Sequence, residues 1–242
     1  MFLIELWIIV KNYFENNALG GMEDISLKES LFANIWEMFI SSVQRNKTII
    51  KATALTFFGV IIVSMLVTFL AFSTNPMISE WFNSLMQHER SYIAIPPPYT
   101  NDLYFFILLN NLGHFWNPIQ MLVWIPLLGT FALGFELLLN GVLIGALSVV
   151  VGITEGVFYP ILGIAPHGII EIPAFILEFA AMIRWHITLV EVIIAKVTGE
   201  KADVGKLKQG VKDALILAAV SVILFVIAAV IETYVTPHLL GL

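Results

Sequence analysis

The chain has 242 residues, of which 59% are hydrophobic and only 12% charged, and its mean hydropathy is +0.90. A soluble fold of this length has nowhere to hide that much apolar surface, because soluble domains are nearer 45–50% apolar and about 25% charged. There is no cysteine, which excludes disulfides, thiolate nucleophiles and Cys-ligated metal clusters. The formal charge is -6 and no basic stripe is present, so nucleic acid is excluded as a partner. The solvent this composition fits is a lipid bilayer.

The opening MFLIELWIIV is apolar but lacks a basic flank and a small-residue cleavage site, and it reads as part of the mature protein. Residues 1–15 are too short to cross a hydrocarbon layer that needs about 20 residues. Residues 26–46 place Leu27, Leu31, Ile35, Phe39 and Val43 at helical spacing. Two interfacial amphipathic helices are therefore expected in an N-terminal region, 1–48, ahead of a transmembrane domain, 49–242.

The first span is expected at 49–72, after Arg45, Lys47 and Lys51, and the last at 214–235, after Lys196, Lys201, Lys206, Lys208 and Lys212. Cations beside membrane segments mark the cytoplasmic side. The N-terminus should then be cytoplasmic and the C-terminus external. Residues 73–101, with Pro96, Pro97 and Pro98, read as an external loop carrying a short helix around 78–87. Between 101 and 196 the chain must cross an odd number of times. The expected crossings are 119–139, 141–162 and 169–195, with 103–115 as a re-entrant or interfacial helix ended near Asn117 and Pro118. The fold class is an all-α polytopic transmembrane helix bundle of about five spans.

Polar groups inside such spans are costly, about 2.5–3.5 kcal/mol for a charge at mid-bilayer, and mark sites. The chain has many: Asn110, Asn111, His114, Glu136, Asn140, Glu155, His167, Glu171, Glu178, Arg184, His186, Glu191 and Glu232. The densest run is Pro166, His167, Gly168, Glu171 and Pro173. Pro166 suits an early helical turn, His167 and Glu171 share one face, and Pro173 removes the amide that would bond the Ile169 carbonyl, kinking the helix. Glu178 follows two turns later. Three readings compete for this segment: a hydrogen-bonded packing lock, a proton or ion path in a broken helix, or a metal site on His167 and Glu171. Gly134, Asn140, Gly141 and Gly145 are assigned to helix packing, Gly141 and Gly145 in the small-xxx-small pattern. Glu136 is expected to snorkel at the inner boundary, and Arg184 to reach the inner headgroups.

Asn110 and Asn111, the glycine-bearing run ending Leu139-Asn140-Gly141, the Pro166-His167-Gly168 block with Glu171-Ile172-Pro173-Ala174, and Glu232-x-Tyr234-x-Thr236-Pro237 together resemble the stage II sporulation protein M family over roughly residues 50–237. The resemblance implies a plasma-membrane protein of about five spans. In sporulating bacteria a relative works with cell-wall hydrolases during engulfment, as an anchoring member of a membrane complex. The chain departs from the family pattern after Ala174. No biochemical activity follows from the resemblance.

Three functions are carried forward. The first is a scaffold or subunit of a cell-envelope membrane complex; the second is a transporter or channel for an ion or small solute. The third is an intramembrane metal-dependent enzyme, for which no nucleophilic set or complete ligand set stands out. A divalent metal is the cofactor these residues suit, and the expected partners are the lipid bilayer and either further copies of the chain or other membrane subunits.

Overall fold

The computed structural model describes residues 22–75, 77–78, 80, 84 and 95–242, with side chains described from residue 33 onward. The expected helix at 1–15 and most of that at 78–87 lie outside the described residues. All regular structure among the described residues is helical. The chain divides into two compact units, Met1–Ser41 and Ser42–Leu242. In the first unit, most of α1 (Met22–Arg45) forms the helix expected from the 26–46 periodicity.

The second unit contains α2 (Lys47–Thr74), α3 (Asn101–Asn111), α4 (Gly113–Trp116), a 3-10 turn (Gln120–Trp124), α5 (Leu128–Thr154), α6 (Phe158–Thr198), α7 (Val204–Tyr234) and α8 (Thr236–Leu240). Helix boundaries follow from local chemistry. Thr100 caps α3 by accepting from the Leu103 amide, just beyond the three prolines. Asp203 caps α7 by accepting from the Gly205 and Lys206 amides. Gly199 ends α6 in the left-handed region at φ 73°.

Four helices, α2, α5, α6 and α7 with its α8 extension, are long and apolar enough to cross a membrane. The boundaries between 119 and 162 differ from the sequence expectation. Leu128–Thr154 is one continuous helix where a break was expected at 139–141. Asn140 stays helical because its amide donates back to the Glu136 carbonyl at 3.0 Å. Gly141 is a contact point, not an end: a Cβ there would sit 2.8 Å from Val60 Cγ1, and one at Gly145 would sit 2.8 Å from Ser64 Cβ. Ser64 also donates to the Val142 carbonyl. Because Val60 faces Gly141 and Ser64 faces Gly145, α2 and α5 run side by side in the same direction.

Helix α6 also departs from expectation, since it begins at Phe158 and runs unbroken through Pro166 and Pro173. Proline is compatible with helical φ, and what it removes is one backbone bond. In a bundle of this kind neighbouring groups can absorb that loss. Helices α6 and α7 are antiparallel, Thr188 lying against Gly210 at one end and His167 against Thr236 at the other. Small residues let them approach: Ala174, Ala180, Ala181, Ala228 and Ala229 are fully buried.

The interruption lies instead in 101–127. This segment starts beside the end of α7, where Tyr234 donates to Asn101 and the Tyr99 amide donates to the Thr233 carbonyl. It then follows α6 from the level of His167 to that of His186, roughly five turns or about 28 Å. That depth matches a hydrocarbon core. Its lower end packs into the main apolar cluster of Phe57, Val123, Leu133, Leu137, Phe179 and Met182.

The turn from this segment into α5 is strained. Leu127 has φ 69° and ψ −67°, and the Leu128 amide donates to the Pro126 carbonyl at 2.9 Å, which makes a γ-turn of the rare hand. Such a conformation costs a non-glycine residue about 1–3 kcal/mol. Leu127 is 71% exposed and packs little. Leu127→Gly is therefore expected to raise stability by about 1 kcal/mol, read as a higher melting temperature in one fixed detergent. A melting temperature equal to or below that of the parent would contradict the strain.

Near the N-terminal end of α7, Asp213 is 2% exposed in its side chain and is held by four donors. Arg45 donates from Nη2 at 2.6 Å and from Nε at 3.0 Å, Gln209 at 2.8 Å and Asn46 at 3.2 Å. The hydrogen bond to Asp213, with its charge, holds the Arg45 proton more firmly than in a free arginine. The latch fastens Arg45 and Asn46, at the start of the second unit, to α7. It also sets the start of α2 at the same end of the unit as the lysines of 196–212.

Candidate functional site

A helix that breaks within a bilayer frees carbonyls that water cannot reach, so the protein must supply donors. Three indoles and an imidazole do this around 101–127. Trp116 donates to the Leu109 carbonyl at 2.7 Å, Trp124 to that of His114 at 2.8 Å and Trp185 to that of Trp124 at 3.0 Å. His186 Nε2 lies 2.7 Å from the Val123 carbonyl, and its Nδ1 lies 3.1 Å from Thr130 Oγ1. With the segment fixed in this way, two polar centres form against α6.

The deeper centre is His114, on the short helix α4, between two carboxylates. Its Nε2 is 2.8 Å from Glu136 Oε2 on α5, and its Nδ1 is 3.1 Å from Glu178 Oε1 on α6. Glu178 is 1% exposed, His114 6% and Glu136 28% in their side chains. Phe179 closes one side, its ring 6.3 Å from the imidazole. Glu136 is thus paired inward, where the sequence suggested a snorkelling group. Both ring nitrogens face oxygen. A neutral imidazole has one N–H and one lone pair, so it fits only if one carboxyl carries a proton; an imidazolium fits two carboxylates. The two arrangements contain the same number of protons and differ only in where one of them sits.

The second centre lies two turns away on α6, about 10 Å along the helix. His167 and Glu171 face one another, Nε2 to Oε2 at 3.5 Å. Glu232 of α7 joins them, and one donor atom from each of the three lies within 4.8 Å of the others. Asn111, the last residue of α3, donates to Glu171 Oε1 at 2.9 Å. Thr236 Oγ1 lies 3.2 Å from His167 Nδ1.

The residues singled out in the sequence fall in different places. Asn111, His167, Glu171 and Glu178 line the two centres. Gly168 is buried among apolar side chains, next to Ile164 and Ile172, and Pro166 and Pro173 are half-buried within α6. Asn110 is on the exposed face of α3, apart from both centres. Among the packing residues, Gly141 and Gly145 meet α2, whereas Gly134 is exposed with open space where a Cβ would go. Arg184 is half-buried against α7, with Nη2 3.0 Å from where a Cβ on Gly210 would sit; the sequence suggested that it would extend to headgroups. Asp213 and the three tryptophans were not singled out. The signal for Asp213 was an acid placed directly where the lysine-rich loop gives way to the last apolar run.

Apolar helices of spanning length, a segment interrupted at bilayer depth and ionisable groups turned inward define an integral, multi-pass α-helical membrane protein. The chain matches the stage II sporulation protein M family over residues 52–237 and belongs to it. Two uncharacterized proteins of Methanocaldococcus jannaschii are similar. One is 32% identical over 143 residues, covering 55% of this chain and 70% of the relative. The other is 34% identical over 110 residues, covering 46% of this chain and 48% of the relative. No solved structure matches.

Proposed function

We propose that this chain is a plasma-membrane protein, N-terminus cytoplasmic and C-terminus external, that passes protons through its bundle interior. The observation that carries this reading is His114 held between Glu136 and Glu178 at the break of the 101–127 segment. Discontinuous segments with inward carboxylates are how membrane transporters place ion sites. In the reading, a proton on Glu136 passes to Nε2 of His114 while the Nδ1 proton passes to Glu178. Glu178 then passes it on toward the Phe158 end of α6, the external end in this orientation. The orientation rests on lysines: Lys47 and Lys51 start α2, and Lys196, Lys201, Lys206, Lys208 and Lys212 gather at the same end of the unit. With 101–127 counted as a crossing, the passes number five.

The test is proton flux into liposomes carrying an internal pH dye, driven by a potassium–valinomycin potential. Parent protein is expected to acidify the lumen faster than protein-free vesicles, and His114→Gln and Glu178→Gln to return the rate to the protein-free level. A folded parent protein that moves no protons at any imposed potential would end this reading.

Family membership supports a second reading, a scaffold or subunit of a cell-envelope complex, as a homo-oligomer or with other membrane proteins. Co-purification of a fixed partner set, unchanged by Glu178→Gln, would favour it.

A further inference from the structure

We infer that His167, Glu171 and Glu232 form a binding site for one divalent transition-metal ion of the zinc class, distinct from the His114 centre. The argument begins with charge. Two carboxylates from different helices converge here, yet the sequence has no Lys or Arg between Ser91 and Ile183 and none after Lys212. Partly buried carboxylates that face one another either hold a proton or meet a compensating cation, and a metal ion is one form such a cation takes.

Geometry supplies the second argument. The three donors are an imidazole nitrogen and two carboxylate oxygens, a set suited to zinc or a somewhat harder divalent ion. Ligand atoms bound tetrahedrally at 2.0–2.2 Å lie about 3.3–3.6 Å apart. His167 Nε2 and Glu171 Oε2 are already 3.5 Å apart, and the full set spans no more than 4.8 Å. Glu232 therefore closes the site by a small rotamer change.

The neighbours point the same way. Thr236 engages His167 through Nδ1, which leaves Nε2 directed at the cluster. Asn111 takes up Glu171 Oε1, which leaves Oε2 for an ion. Groups that hold metal ligands by their far atoms are a regular part of such sites. Among the described residues the cluster supplies three donors, which leaves a fourth position for water or a substrate oxygen. Glu171 keeps 27% of its side chain exposed, so the cluster is not sealed within the bundle.

The inference does not depend on proton passage, and one variant separates the two. Untagged full-length protein, purified without chelators in detergent, is titrated with Co2+ followed by visible absorption, then with Zn2+. The expected result is one saturable site per chain, with tetrahedral Co2+ bands displaced by Zn2+. His167→Gln and Glu232→Gln should abolish the bands, Asn111→Leu should weaken binding about 10- to 100-fold, and His114→Gln should bind as the parent does. Size-exclusion profile and circular dichroism check that each variant is folded. A parent protein with no saturable Zn2+ or Co2+ uptake overturns the site, and so does a folded Glu232→Gln that binds as tightly as the parent.

Discussion

His114→Ala is expected to destabilise the protein by about 3–5 kcal/mol, among the largest losses available from one side chain. The change removes the group that engages Glu178 and leaves a carboxyl with 1% exposure facing an apolar wall that includes Phe179. The volume lost adds a cavity term, and controls separate the two effects. His114→Gln retains bulk and one amide donor and should recover a part of the loss. Adding Glu178→Leu to His114→Ala removes the stranded carboxyl altogether. That double variant should be more stable than His114→Ala alone, since an unpaired buried acid costs more than an apolar replacement. Thermal unfolding of all three in one detergent reads the order. If the double variant is the least stable, cavity formation dominates and the ion-pair argument fails.

Arg45→Ala is expected to cost about 3 kcal/mol, and more than Asp213→Asn. The asymmetry comes from exposure: the Arg45 side chain is 42% exposed and that of Asp213 only 2%. When Asp213 is neutralised, the guanidinium turns to water. When Arg45 is removed, a buried carboxylate keeps only the neutral amides of Asn46 and Gln209. Arg45→Ala combined with Asp213→Asn should therefore be no worse than Arg45→Ala alone. Strict additivity of the two losses would show that they act through separate contacts.

Much of this architecture could be read from residues alone, and the remainder shows where such reading stops. The long apolar runs announced α2 and α7 because nothing inside them interrupts hydrophobicity. The polar residues that build the two centres were visible for the same reason, since each is costly in lipid. Partnership was not visible. His114 meets Glu136 and Glu178 from 22 and 64 residues away. Only the path of 101–127 decides that, and the path depends on donors from Trp116, Trp124, Trp185 and His186. Helix ends misled for a related reason. Pro166 was weighted as the start of a helix and Pro173 as a kink in it, but α6 begins at Phe158 and continues through both. The true interruption, between Leu112 and Leu127, contains Pro118 and Pro126 and is fixed by tertiary contacts as much as by proline.

The parallel run of α2 and α5 has a consequence for how the chain enters the membrane. Two neighbouring helices that point the same way require a return between them, and that return is 101–127, with Asn111 and His114 in its path. As it leaves the ribosome, this stretch carries Asn111 and His114 without their α6 partners. Its partners Glu171, Glu178 and Trp185 all lie on α6, which is synthesised later. These contacts can therefore form only after α6 has emerged, so the packing of this return is completed out of the order in which the chain is made.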